Sequence, residues 1–376
     1  ITVDNTKAEW DYCDKIFVND EGDGKHSIVA PIFDIGDDYI TIPAILKENK
    51  TFTNMALTIE RKMPAIKYLT ECQNRLWGCS EDGHEIYCCK LGDVTNWNYF
   101  TGVSIDSYSA TVGSDGIFTG CITYNQNPIF FKEHSFLKVQ VSASGAHSYR
   151  EQTDYGVQSG SYKSIVNVNG VLYFKGLTDI YIYDGSVPLP VSNEFGNHRF
   201  SEAVGGTIDG RYYVSTKGED GKHRIFVHDY EKGIWVAEDE KKVDFYCKHA
   251  DDLYMVVGNE IFSVQGGDIY DSTEKEKPFD WYAESAPIGY ALPDSKYIGR
   301  INIRMSLDIG AYADFWMKYD DDEKWTHVFN MAGSGTRSFV IPVTPRRCDH
   351  FKYRISGKGK CKIYSVAKTI EEGSDK

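Results

Sequence analysis

The chain has 376 residues, is 41% hydrophobic and 14% aromatic with 26 tyrosines, and carries a formal net charge of −14. That length exceeds one ordinary core, and that apolar content excludes a disordered chain, so two or three domains are expected. The acidic balance argues against a sequence-independent grip on nucleic acid, which needs Lys and Arg to displace counterions, and against docking on an anionic membrane surface.

Ile1 opens the chain, and no charged segment with an apolar core follows it. The reading is therefore no signal peptide and a start inside a longer protein. No apolar run is long enough to span a bilayer as a helix, and helical periodicity is nearly absent. The nine cysteines are Cys13, Cys72, Cys79, Cys88, Cys89, Cys121, Cys247, Cys348 and Cys361. An odd number without a CxxC pair reads as reduced thiols, neither a disulfide framework nor structural zinc.

Residues 1–66 read as a small β domain, left incomplete where the natural start is missing. Ile28–Ile32, Tyr39–Ile42 and Ala56–Arg61 look like strands, and Asn19–Gly24 is a cluster of turn residues. Residues 67–273 then repeat one grammar five times: a polar turn, a short apolar strand, a turn and a second apolar strand. Leu76, Ile129, Leu172, Tyr212 and Leu253 serve as anchors, at separations of 53, 43, 40 and 41 residues. A period near forty with hairpins in each unit predicts an all-β, roughly five-bladed β-propeller, whose blades hide their faces against one another. The long first interval is expected to carry a loop around Trp97–Asp106.

Glu274–Pro278 is charged, ends in proline and reads as a linker, open to mild proteolysis near Thr273–Lys277. Residues 278–376 show alternating strands broken by turns such as Asp320-Asp321-Asp322-Glu323, which predicts a β-sandwich.

Candidates for chemistry are few. A propeller glycosidase would need converging carboxylates, for which Asp115, Asp179 and Asp209 are the candidates. Gly113-Ser114-Asp115-Gly116 and Ile208-Asp209-Gly210 are also good turn sequences, where Asp bonds its own backbone, and that reading is preferred. Ser80-Glu81-Asp82-Gly83 resembles a sialidase Asp-box distantly but reads more simply as a hairpin turn. The ten histidines form no ligand pair, and the Asp320–Asp322 run lacks the alternation of a calcium loop. No catalytic residue, metal or cofactor is expected. Arg346, Arg347 and Asp349 are expected to form an ion pair, within the fold or at a subunit contact. Trp97 and Trp281 are the candidate exposed aromatics for stacking on sugar rings.

Two strings carry a family resemblance. Asn74-Arg75-Leu76-Trp77-Gly78-Cys79, with Glu85-Ile86-Tyr87, Leu91-Gly92-Asp93 and Asn96-Trp97, resembles a segment of structural proteins from phages and prophages of Gram-positive bacteria. Pro345-Arg346-Arg347-Cys348-Asp349-His350-Phe351, with Ile363-Tyr364-Ser365 and Glu372-Gly373-Ser374, is similar to their closing domain. The resemblance runs from about Ile40 to the end and implies a plan like the β-propeller hub proteins of phage tails and necks. It implies a virion protein without enzymatic activity, assembled in the bacterial cytoplasm, with other virion proteins as partners in a symmetric oligomer and neither nucleic acid nor membrane insertion. The alternatives are a host-surface carbohydrate-binding adhesin and a propeller glycoside hydrolase.

Overall fold

A computed structural model describes residues 15–18, 28–31, 34–35, 39–41, 57–60, 63–100, 102–141, 146–264, 278–289 and 296–372. The chain divides into two compact units, Ile1–Gln265 and Gly266–Lys376. The described residues are strands and turns, with two short 3-10 turns at Tyr162–Ser164 and Asn193–Phe195 and no α-helix. The Asn19–Gly24 turn and the Glu274–Lys277 linker, with its expected cleavage point, lie outside the described residues.

In the first unit, β1 (Lys15–Val18), β2 (Ile28–Pro31) and β5 (Leu57–Glu60) form an antiparallel sheet, and β3 (Asp34–Ile35) pairs with β4 (Ile40–Thr41). Five antiparallel sheets follow, each laid down in chain order. The first is β6 (Ile66–Cys72), β7 (Arg75–Ser80), β8 (Glu85–Cys88) and β9 (Tyr108–Thr111). The second is β10 (Gly120–Tyr124), β11 (Asn127–Phe131), β12 (Ser135–Val141) and β13 (His147–Thr153). The third is β14 (Val166–Val168), β15 (Val171–Lys175), β16 (Ile180–Tyr183) and β17 (Leu189–Pro190). The fourth is β18 (Phe200–Ile208), β19 (Arg211–Gly218), β20 (His223–Asp229) and β21 (Ile234–Asp239). The fifth has β22 (Phe245–His249), β23 (Asp252–Val257) and β24 (Glu260–Ser263).

Each of the five anchors lies on the second strand of its sheet: Leu76 on β7, Ile129 on β11, Leu172 on β15, Tyr212 on β19 and Leu253 on β23. The reason shows in the turns. First and second strands are joined by two-residue loops, and in four sheets both loop residues have positive φ: Gln73-Asn74, Asn125-Gln126, Asn169-Gly170 and Asp209-Gly210. A tight hairpin needs that backbone to match strand twist, and Asn, Asp and Gly reach it at least cost.

Side-chain alternation then places both faces of each sheet. On β11, Ile129 and Phe131 pack with Leu172 and Phe174 of the third sheet, whereas Phe130 between them packs with Trp77 and Cys79 of the first. On β15, Tyr173 turns the other way and meets Tyr212 and Val214 of the fourth sheet. Because inner strands are buried on both sides, they read as unbroken apolar runs instead of alternating ones.

The second unit holds β25 (Asp280–Glu284), β26 (Lys296–Leu307), β27 (Tyr312–Tyr319), β28 (Thr326–Ala332), β29 (Gly335–Ile341), β30 (Phe351–Lys358) and β31 (Cys361–Glu372). Two antiparallel sheets, in the orders β25-β30-β27-β28 and β29-β26-β31, close on one core. Ile301, Ile303 and Met305 come from one sheet, and Ala313, Phe315, Met317 and Ile355 from the other.

Candidate functional site

The first sheet departs from the other three four-stranded sheets of the series between its third and fourth strands. A short turn is replaced by the excursion 89–107, and Arg75 at the head of β7 holds it. Arg75 is 6% exposed. Its guanidinium donates to the carbonyls of Cys89 at 2.9 Å, Asp106 at 2.5 Å and Ser104 at 2.7 Å. A planar fork of five donors suits this task, tying both ends of the excursion to one strand. Inside it, Leu91 N–H donates to Ile105 and Ser107 N–H to Tyr99, and Gly92 N–H donates back to Asn74 in the turn before β7. Asp106 Oδ2 accepts from the Gly102 N–H at 2.6 Å.

Trp97 is the keel of this excursion. It is 3% exposed, and its indole N–H donates to the Val94 carbonyl at 2.9 Å. The expectation of an exposed stacking surface is corrected: Trp97 is buried and its indole hydrogen bond is made within the excursion. What remains outside are five apolar side chains of the same excursion, Leu91, Val94, Phe100, Val103 and Ile105, all exposed. Only the lengthened first interval of the repeat signals this feature in the sequence.

Trp281 is corrected likewise. It points into the second unit's core, and its indole N–H donates to Gly359 at 2.8 Å. Strand parity turns its neighbour Tyr282 outward instead.

The three candidate carboxylates do not converge. Asp115 is exposed in the turn between β9 and β10. Asp179 lies between the second and third strands of its sheet and accepts from the Ser192 hydroxyl at 3.1 Å. Asp209 takes φ 51° in the turn between the first and second strands of the next. In an antiparallel meander those two turns fall at opposite ends of their sheets. The Ser80–Gly83 segment is a hairpin turn, with Ser80 Oγ and the His84 N–H both donating to Asp82 Oδ1.

Beside Asp179 lies a titratable group that the sequence reading passed over. Lys175 ends β15 and is 2% exposed, with Nζ donating to Gly176 at 2.5 Å and Leu177 at 3.3 Å. Burial pulls its pKa down to about 8, against the pull of Asp179. The adjoining cavity, about 10 Å³, is bounded by Asp179, Ser192, His198 and Thr216 and has room for one water. Burial also pushes the Cys79 and Cys88 thiols up to about 12, which leaves them poor nucleophiles.

Arg346 forms a two-pronged pair with Asp322, at 2.7 and 3.2 Å, and lies over the Tyr319 ring. Its partner is thus Asp322 and not the expected Asp349, whose backbone N–H donates to Asp320 Oδ1 at 2.8 Å. The hairpin tip comes within reach because Asp320 bends the chain back there, with φ 45°. Arg347 is exposed and sits in the same segment. Among the described residues, no group of three or more His, Cys, Asp or Glu could hold a metal ion.

No protein-family model matches the chain, and no curated protein matches it. Solved structures similar in fold include an exo-β-1,3-galactanase from Phanerochaete chrysosporium with galactose, at 9% identity, TM-score 0.31 and coverage of 80% of this chain and 96% of that one. A Bombyx mori β-fructofuranosidase with sucrose is similar at 8% identity, TM-score 0.25 and coverage of 81% and 91%. A dihydro-heme d1 dehydrogenase is similar at 11% identity, TM-score 0.33 and coverage of 89% and 77%. These likenesses concern fold. The expectation of a protein without enzymatic activity is corrected: glycoside hydrolases are among the solved structures similar to this chain.

Proposed function

We propose that the chain is a structural subunit of a bacteriophage particle, with the five successive sheets as propeller blades and the two-sheet unit as a β-sandwich. Residues 67–273 and 278–376 would be the two bodies, and other virion proteins in a symmetric assembly the partners. The observation that carries this reading is the Arg75-held excursion, which presents Leu91, Val94, Phe100, Val103 and Ile105 to solvent on an ordered base. Exposed apolar side chains on a fixed backbone are what a protein interface needs. The resemblance of Asn74–Trp97 to phage structural proteins covers the same segment.

The test is incorporation. Expressed with the particle's other structural genes, the wild-type chain should be recovered in purified particles. The triple variant Val94→Ser, Phe100→Ser, Val103→Ser should keep its melting temperature and be lost from them. Equal recovery of the variant would reject the excursion as the interface, and a wild-type chain never found in particles would reject the reading.

A second reading is a glycan-directed protein, an adhesin or a glycoside hydrolase. It is favoured by one observation, the mixed aromatic and polar face of the sheet β25-β30-β27-β28.

A further inference from the structure

The second unit turns an unusual set of side chains outward. Along β27, Ala313, Phe315, Met317 and Tyr319 enter the core, so Asp314 and Trp316 face away from it. Strand pairing extends these two positions into rows across the sheet. Glu284, Arg354, Trp316 and His327 stand side by side in one row, and Tyr282, Ser356, Asp314 and Asn330 in the next. Four strands at their usual spacing make each row roughly 14 Å long.

The side chains hold one another in place. The Arg354 guanidinium lies 4.6 Å from the Trp325 ring centre and 5.4 Å from that of Tyr282, and it pairs with Glu284. Trp316 donates its indole N–H to Ser356 at 2.9 Å and meets His327 edge-on at 4.8 Å. Asp314 Oδ1 pairs with His327 Nε2 at 3.0 Å and accepts from the Asn330 amide at 2.8 Å. A carboxylate has capacity for more acceptors than these two bonds use, and Oδ2 remains to take a hydroxyl proton. Tyr282 is 70% exposed.

We infer that this face binds a short oligosaccharide of neutral sugars. Sugar rings offer apolar C–H faces and hydroxyls that both donate and accept. The sheet offers the matching pair, aromatic rings at Tyr282 and Trp316 beside Asp314, Asn330, His327 and Arg354. Within the rows the Glu284 carboxylate is paired with Arg354, and Asp314 is hydrogen-bonded to His327 and Asn330, so the polar groups are held in fixed positions beside the rings. This inference rests on the glycan-directed reading and is independent of the particle reading.

Affinity electrophoresis of the full chain through gels containing β-glucan, galactan, mannan or soluble chitin tests it. Retardation is expected in at least one gel. Tyr282→Ala and Asp314→Ala should each weaken it by about tenfold, at unchanged melting temperature for Tyr282→Ala. Tyr364→Ala, at an exposed tyrosine on β31 of the other sheet, should leave it unchanged. No retardation in any gel, or retardation that survives both Tyr282→Ala and Asp314→Ala, overturns the inference. Loss of binding in Tyr364→Ala alone would place any glycan site elsewhere. Incorporation into particles is unaffected by any of these results, so the two readings fail separately.

Discussion

The Tyr173 hydroxyl and His228 Nδ1 lie 2.9 Å apart, a buried hydrogen bond that links the third sheet of the first unit to the fourth. Tyr173 also stacks on Tyr212 at 4.6 Å, and His228 meets Trp235 at 4.7 Å. Removing the hydroxyl in Tyr173→Phe leaves His228 a buried nitrogen without its partner, so a loss of about 1–3 kcal/mol is expected. Burial lowers the His228 pKa below its ordinary value. The unfolded chain therefore binds the proton more readily than the folded one. Stability from this group is present above the unfolded pKa and falls as pH drops below about 6.5. Urea unfolding of wild type and His228→Gln between pH 5 and 8 checks the sign: the gap between them should narrow toward acid.

Arg75 offers a sharper test because one side chain closes the whole excursion 89–107. Lysine keeps the charge but cannot reach three carbonyls in a fixed fork. Arg75→Lys should cost roughly 2–4 kcal/mol, as expected when buried charge-assisted bonds are left incomplete. Hydrogen exchange should speed up at the Leu91 and Ser107 amides in this variant while the Tyr173 amide on β15 stays protected. Uniform loss of protection would mean that Arg75 supports the entire first unit and not the excursion.

Lys175 sets a pH dependence of the same sign in a more alkaline window. Its folded pKa is about 8, below the ordinary lysine value of 10.5, because burial disfavours the ammonium. Below pH 8 both states carry the proton and the full penalty applies; above 10.5 neither does. Between the two, the unfolded state binds more protons, so stability from this group rises with pH. Relative to Lys175→Met, the wild type should gain on the order of 3 kcal/mol at most across that window. A constant difference between the two proteins from pH 7.5 to 10.5 would show that the amine is solvated.

Much of this architecture was legible in the sequence, for identifiable reasons. The anchors fall on equivalent strands because turn chemistry repeats: Asn169-Gly170 and Asp209-Gly210 can hold positive φ where most residues are strained. Parity was harder. Trp281 and Tyr282 are adjacent aromatics on one strand, and a shift of one residue exchanges core for solvent. Trp97 was misread because a side chain in an excursion can be buried as fully as one on a strand, and no local period announces that. Arg75 and Lys175 show a common limit: a cation within an apolar strand is visible in the sequence, but the carbonyls that receive it come from residues up to 31 positions away for Arg75 and from the adjoining turn for Lys175. The outward rows of the second unit were hidden for the same reason, since they form only when β25, β27, β28 and β30 align.

In the second unit β30 packs tightly where it passes Trp281. Gly357 pairs with Trp281 on one side and Ala313 on the other. A Cβ at Gly357 would run into the Tyr312 carbonyl and lie 2.7 Å from Trp281 Cζ2. The ring has little room to retreat, since its indole N–H is fixed on Gly359 and its body packs against the core. Gly357→Ala is therefore expected to destabilise the second unit by about 1–3 kcal/mol through overpacking. Trp281→Phe removes the atom that the methyl would strike but not the Tyr312 carbonyl. The double variant should accordingly lose less than the sum of the two single losses, by about 0.5 kcal/mol or more, as contacting residues do. Chemical unfolding of the four proteins measures that coupling. Strict additivity would show that the backbone clash alone sets the cost. An unperturbed Gly357→Ala would show that β25 and β30 lie farther apart than the strand pairing places them.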